Sequence, residues 1–114
     1  MTPGSNPTTA ASGRVLASDA ASHEVIGEVL NASRAGLLVI SARPFQDQER
    51  IDVRLSPSER VDAAPVEVTL ESVYCEPSQF NEHYGVGFAI LAIQSGDLRA
   101  LFPQIARARF GVTV

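Results

Sequence analysis

The pattern of apolar and polar positions along the chain predicts a protein made mainly of β-strands. In the segment 51–55, apolar residues alternate with Asp52 and Arg54, which gives one buried and one exposed face. The same two-residue period begins the segment 66–74, whereas 36–41 and 84–93 are continuous apolar runs. The predicted strands are residues 23–30, 36–41, 51–55, 66–74 and 84–93.

Two irregularities in this pattern predict β-bulges. Gly27 lies inside the first predicted strand, where glycine often marks a bend or bulge. The alternation in the segment 66–74 changes phase near Ser72 and Val73, which is the effect of one extra residue in a strand. The turn-rich segment 76–82 predicts a hairpin loop between the last two strands.

The end of the chain has a different period, which predicts a helix. Ser95 is the expected N-cap and Asp97 lies near the positive end of the helix dipole. Pro103 is expected to kink or split this helix. Strands followed by one helix indicate a small antiparallel barrel or rolled sheet with the helix packed on it. The apolar residues at helical spacing are Leu98, Leu101, Phe102 and Ile105. The expected core is Val25, Val29, Leu38, Ile40, Ile51, Val53, Val66, Val68, Leu70, Phe88, Ile90, Leu98 and Ile105.

Length and composition indicate one domain of 114 residues, 45% hydrophobic and 19% charged. Residues 1–12 carry no charge and no large apolar run, so we expect a flexible tail before a domain at 13–114. A net charge of −4 disfavours DNA, RNA and anionic membranes as partners. With no secretory signal, no membrane-length apolar run and a single cysteine, Cys75, we expect a cytoplasmic protein without membrane insertion.

Candidate catalytic and metal-binding residues form no known arrangement in the sequence. His23 and His83 have no nucleophile at a matching spacing, and no phosphate-binding loop or nucleophile elbow is present. Cys75 and His83 match no standard zinc pattern. We therefore expect no enzyme activity, no catalytic residue, no metal and no cofactor.

The segment between the first two predicted strands contains Asn31, Ser33 and Gly36 at a fixed spacing. A carboxamide oxygen accepts N–H donors such as those of guanine, and a hydroxyl can bond a base or a phosphate. Glycine allows a positive φ angle and a close approach of ligand. The alternative is that these three residues are simply good turn formers.

This Asn-x-Ser-x-x-Gly pattern resembles the [Asp/Asn]-x-Ser-x-x-Gly motif of PilZ domains, the bacterial receptors for cyclic di-GMP. Gly85 and Phe88 match the Gly-x-x-Phe strand of that family, and the resemblance covers about residues 14–110. It implies an all-β, six-stranded antiparallel barrel with one C-terminal α-helix. It also implies cyclic di-GMP as ligand, bound by Arg14, Asn31, Ser33, Arg34 and Gly36.

The second half-site of the family, Arg-x-x-x-Arg before the first strand, is incomplete in this chain. Arg14 is the only arginine upstream of the motif, since Ala10 stands four residues before it and Ser18 four residues after it. We therefore expect weak nucleotide binding. Arg34 is a candidate substitute cation, the simpler interpretation being an exposed arginine in a turn. In the receptor function the ligand orders the N-terminal tail. The alternative is an adaptor that contacts a protein of motility, pilus, secretion or biofilm control directly.

Overall fold

The computed structural model describes residues 14–57, 64–79, 82–103 and 105. These residues form six strands: β1 (Val15–Asp19), β2 (Val25–Ala32), β3 (Gly36–Ser41), β4 (Arg50–Pro57), β5 (Val66–Pro77) and β6 (Tyr84–Ser95). The strands close into a barrel in the order β1-β2-β3-β6-β5-β4, and every neighbouring pair is antiparallel. The predicted six-stranded antiparallel barrel is confirmed.

Aliphatic side chains from alternate strand positions fill the barrel. β4 contributes Val53 and Leu55, and β5 contributes Val66, Val68 and Leu70, all at most 1% exposed. Burying a side chain of this size contributes roughly 1.5–3 kcal/mol, so the alternation in these two strands stabilises the barrel wall strongly. The buried members of the predicted core are Val29, Val53, Val66, Val68, Leu70, Phe88, Leu98 and Ile105.

One prediction of a core residue in β2 is wrong. Val25 is 55% exposed, and its neighbour Ile26 is buried instead. The cause is a β-bulge: Ser18 pairs with Val25 whereas Ala17 pairs with Gly27, so Ile26 is an extra residue in β2. An insertion of one residue moves the side chains that follow to the opposite face. The bulge predicted at Gly27 is therefore confirmed.

The buried face of β3 is shifted by one residue from the predicted face. Leu37 and Val39 are buried in the barrel, while Leu38 and Ile40 are only half-buried. All four positions are apolar, so the sequence of β3 has no alternation that fixes its phase. The other predicted core residues that are only half-buried are Ile51 and Ile90.

The long hairpin of β5 and β6 contains the second predicted bulge. Ser72 pairs with Phe88 and Tyr74 pairs with Gly87, which leaves Val73 as an extra residue in β5. The pairing continues as far as Pro77, opposite Tyr84, so the hairpin predicted at this turn is present. The bulge at Val73 therefore lies in the middle of the longest strand pair of the barrel.

After β6 the chain forms a turn and a short helix. Ser95, predicted as the N-cap, is the last residue of β6, and the N-cap is Asp97, whose carboxylate accepts a hydrogen bond from Arg99 N at 3.1 Å. The helical element is a 3-10 helix, Leu98–Leu101. The predicted C-terminal α-helix is not shown, since most of the rest of its segment lies outside the described residues. The predicted tail at residues 1–12 lies outside them as well.

Candidate functional site

An open groove runs from the β2–β3 hairpin to the middle of β5 and β6, with a volume of about 310 Å³. Three residues singled out by the sequence line it together, namely Asn31, Ser33 and Gly36. We call it the motif groove. Its other lining residues are Ala32, Leu37, Leu38, Val73, Tyr74, Gly87 and Phe88.

A bulge that the sequence did not predict turns Asn31 toward this groove. The register of β2 on β3 shifts between Val29 and Asn31, so that Leu30 is an extra residue. In a regular strand Asn31 would share the face of buried Val29 and point into the barrel. With the extra residue it is exposed on the outer surface, and its Oδ1 accepts a hydrogen bond from Ala32 N at 2.9 Å. The oxygen has a second lone pair for a ligand donor.

Ser33 closes the hairpin turn with its own side chain. Its Oγ accepts hydrogen bonds from the backbone N–H groups of Ala35 at 3.2 Å and Gly36 at 3.3 Å. The backbone N–H of Ser33 also donates to the carbonyl oxygen of Gly36 at 2.9 Å. Ser33 therefore has a structural role in the turn, and its hydroxyl hydrogen remains for an acceptor in the groove.

Gly36 is required for a different reason from the one predicted. Its φ angle is not positive, so the predicted left-handed conformation is wrong. Gly36 begins β3 opposite Ala89, and a Cβ atom on it would overlap the carbonyl oxygen of Phe88 in the adjacent strand. Because that neighbour is backbone, it cannot move aside without disturbing the strand pair.

Neither of the two candidate arginines lines the motif groove. Arg34 lines a second groove on the other side of the hairpin turn. Arg14 precedes β1, and its Nε lies 3.9 Å from Glu28 Oε2. The register that pairs Leu16 with Glu28 places Arg14, two residues earlier, beside the end of β2 next to the motif.

Tyr74 and Gly87 are groove residues that sequence reasoning missed. The Tyr74 ring covers Gly87 in the neighbouring strand, where a Cβ atom would lie 2.6 Å from Tyr74 Cζ. The bulge at Val73 puts Tyr74 on the outer face, 45% exposed. The slip of the alternation near Ser72 was the available signal, but it does not reveal which side chain the bulge exposes.

Phe88 forms the floor of the groove and is fixed from below. The Phe45 ring packs edge-on against it, with ring centroids 5.0 Å apart, and the Arg43 guanidinium lies 3.7 Å from the Phe45 centroid. Arg43 also donates to Glu49 at 2.9 Å. This hydrogen bond, followed by one from Gln46 N, holds the pKa of Glu49 below its usual value.

The lining of the motif groove suits recognition of a ligand by hydrogen bonds and stacking. The lining residues include a carboxamide, a hydroxyl and an aromatic ring, and none of them is Asp, Glu, His or Cys. In the described part of the chain, no three His, Cys, Asp or Glu residues lie close enough together to hold a metal ion. Within these same residues, no helix is long and apolar enough to cross a membrane.

Comparison with known proteins agrees with this geometry. The PilZ domain family model matches residues 9–106, which is most of the chain. No curated protein and no solved structure gives a significant match. The match to the family model shows that this chain belongs to the PilZ domain family, a family of signalling modules that bind cyclic di-GMP.

Proposed function

We propose that this chain is a non-catalytic signalling module that binds cyclic di-GMP weakly in the motif groove. The observation that supports it is the convergence of Asn31, Ser33 and Gly36 on one open groove. Arg14 is the nearest upstream guanidinium, and its side chain is 65% exposed. An exposed arginine can turn from its partner to a ligand at small cost, because surface ion pairs contribute about 0–1 kcal/mol.

The groups at the groove match the chemistry of a guanine nucleotide. Asn31 offers a carboxamide oxygen to the N–H donors of guanine, and Ser33 offers a hydroxyl to a base or phosphate oxygen. Arg14 provides a planar fork of donors for the N7 and O6 acceptors of guanine or for a phosphate. Gly36 lets a ligand approach the backbone closely because it has no side chain.

Weak binding follows from the incomplete arginine half-site. A bidentate contact between arginine and guanine is worth about 1–3 kcal/mol. Its loss weakens binding by roughly tenfold to a hundredfold. Arg34 lines a different groove, so in this conformation it does not replace the missing contact.

Isothermal titration of the full chain with cyclic di-GMP tests the proposal. We expect a dissociation constant in the micromolar range, further weakening in Asn31→Ala, and no comparable binding of GMP. Submicromolar affinity would show that the second arginine is not needed. No detectable binding at millimolar nucleotide would reject the receptor function.

The second candidate is an adaptor that contacts a protein partner directly, in motility, pilus, secretion or biofilm control. It is favoured by the exposed apolar side chains of β5 and β6: Val73 is 60%, Leu91 44% and Ile93 50% exposed. Exposed apolar side chains on one pair of strands are candidates for a protein interface. If the adaptor function is correct, charged substitutions at Leu91 and Ile93, which do not line the motif groove, abolish the signalling output and leave nucleotide affinity unchanged.

A further inference from the structure

A second groove, with a volume of about 340 Å³, lies between the β2–β3 hairpin, the end of β6 and the 3-10 helix. We call it the arginine groove. None of its lining residues lines the motif groove. They are Arg34, Ile93, Gly96, Asp97, Leu98, Arg99 and Phe102.

The floor of the arginine groove is apolar and partly open to solvent. Ile93 is 50% exposed, Phe102 is half-buried, and Leu98 beneath them is buried. A concave apolar surface of this kind gains free energy when a second apolar side chain covers it. The floor therefore fits a bulky aliphatic or aromatic side chain.

The rim of the arginine groove is positive, although the chain as a whole carries a net charge of −4. Arg34 and Arg99 are both exposed, and neither forms a salt bridge with another described residue. The one carboxylate of the lining, that of Asp97, already accepts a hydrogen bond from Arg99 N. Two guanidinium groups that form no ion pair with a described residue, beside one capping carboxylate, make the rim complementary to an acidic ligand.

The strand next to this groove has a free edge within the described residues. β6 pairs with β3 only as far as Ala89, and the last backbone bond to the hairpin joins Ile90 N to Ala35 O at 3.0 Å. From there to Ser95, the described pairing of β6 is with β5 alone. Such an edge can accept an extended peptide as an additional strand.

We propose that the arginine groove is the docking site for an extended segment of a partner protein, in which Asp or Glu flanks a bulky apolar residue. The apolar side chain covers Ile93 and Phe102, and the flanking carboxylates pair with Arg34 and Arg99. This inference rests on the adaptor function proposed above and names the surface that function uses. It does not require nucleotide binding.

Fluorescence anisotropy with two labelled synthetic peptides tests the docking site on the full chain. Both peptides carry Leu-Phe at the centre; acidic residues flank it in one and lysines in the other. The charges at the rim should make the acidic peptide bind roughly tenfold more tightly, a difference of about 1.4 kcal/mol. The double variant Arg34→Glu with Arg99→Glu should reverse this preference, which a merely unfolded protein cannot do.

A matched control keeps the total charge equal. The double variant Arg50→Glu with Arg54→Glu changes the charge by the same amount on β4, outside the groove lining, and should keep the preference for the acidic peptide. Equal affinity of the parent protein for both peptides, or no binding of either, would overturn the proposal. So would a dimer that dissociates when Arg34 and Arg99 are reversed, since the occupant would then be a second copy.

Nucleotide binding is measured separately on the same samples. Asn31→Ala should weaken binding of cyclic di-GMP and leave peptide affinity within about twofold of the parent, because Asn31 lines only the motif groove. A parent protein that binds peptide but no nucleotide would reject the receptor function while the docking site stands.

Discussion

Ser33 and Arg34 are neighbours in the chain, yet they line different grooves of the barrel. Ser33 lines the motif groove, and its hydroxyl oxygen stabilises the turn by accepting hydrogen bonds from two backbone N–H groups. Arg34, on the same turn, lies on the arginine groove. One short turn therefore contributes a residue to each of the two grooves.

The turn should lose stability when the Ser33 hydroxyl is removed. Ser33→Ala leaves the N–H groups of Ala35 and Gly36 without this acceptor, so we expect a loss of about 0.5–1.5 kcal/mol. Urea unfolding followed by circular dichroism measures it. Ser33→Thr keeps a hydroxyl at the same place and should lose less. If Ser33→Ala were as stable as the parent protein, these two bonds would have no structural role.

The contact between Tyr74 and Gly87 predicts that any side chain at position 87 displaces the Tyr74 ring. In Gly87→Ala the new methyl group would lie 2.6 Å from Tyr74 Cζ, so the ring must move. Because Tyr74 is 45% exposed and its ring can rotate outward, we expect a loss of only about 1 kcal/mol. Thermal unfolding measures it, together with a change in the tyrosine fluorescence as the ring is displaced.

Gly85 is the matched control for this substitution, since it lies two residues earlier in the same strand. A methyl group on Gly85 would meet only the carbonyl oxygen of Glu76, at an ordinary distance of 3.9 Å. Gly85→Ala should therefore keep stability within about 0.5 kcal/mol of the parent protein. Equal losses in Gly87→Ala and Gly85→Ala would mean that strand propensity, rather than the tyrosine contact, determines the effect.

The barrel could be predicted from the sequence because the segments 51–55 and 66–70 alternate strictly. The predicted core residues Val53, Val66, Val68 and Leu70 are buried, and Leu55, on the same face as Val53, is buried as well. In β3 the residues from Leu37 to Ile40 are all apolar, and only the pairing with β6 determines that Leu37 and Val39 are the buried ones. At Val25 the strand was recognised correctly, but the bulge at Ile26 changed which side chain is buried.

The site could be predicted in part, because short-range spacing brings Asn31, Ser33 and Gly36 onto one hairpin. The other features of the site depend on strand pairing and on the direction of the turn. Tyr74 enters the groove only through the register of β5 on β6, and Arg34 leaves it because the turn points its side chain toward the 3-10 helix. No local pattern in the sequence contains that information.

Stability should decrease at acid pH in part because of Glu49. The Arg43 guanidinium, and then the N–H of Gln46, hold the pKa of Glu49 below its ordinary value of 4.5. A pKa lower in the folded than in the unfolded state stabilises the fold above the unfolded value, and this contribution is lost as the pH falls through the folded value. Unfolding free energies in urea at neutral pH and at several values below 4.5 should show this loss in the parent protein.

Glu49→Gln should flatten this acid dependence, because the amide does not titrate. Its stability at neutral pH should be lower than that of the parent protein, and the two should converge at low pH. Glu24→Gln is the matched control, since Glu24 is exposed and forms no salt bridge with a described residue. If both variants flattened the acid dependence of stability equally, the Arg43 contact would not be the cause of the Glu49 effect.

A similar acid effect is expected at the β1–β2 turn. The backbone N–H of Ser22, and then that of Ala21, lower the pKa of Asp19 from 3.8, through hydrogen bonds of 3.0 and 2.8 Å to its carboxylate. Asp19→Asn should therefore flatten the curve in the range below about 3.8, which is lower than the range affected by Glu49. A loss of slope centred near neutral pH would contradict this assignment.

Arg14 provides the most direct test of the nucleotide site, because the chain contains a close structural match for it. Arg14 is 65% exposed, with its Nε 3.9 Å from Glu28, and Arg50 is 71% exposed, with its Nε 4.0 Å from Glu71. Surface pairs of this kind contribute about 0–1 kcal/mol, so alanine at either position should leave the melting temperature nearly unchanged. Only Arg14→Ala should abolish measurable binding of cyclic di-GMP, because Arg50 lies on β4 and does not line the motif groove. Glu28→Gln should strengthen binding severalfold, since it removes the carboxylate that competes with the ligand for Arg14.

If Arg14→Ala binds nucleotide like the parent protein, the arginine half-site is wrongly assigned. If the parent protein binds none and both alanine variants are silent, the adaptor function replaces the receptor function.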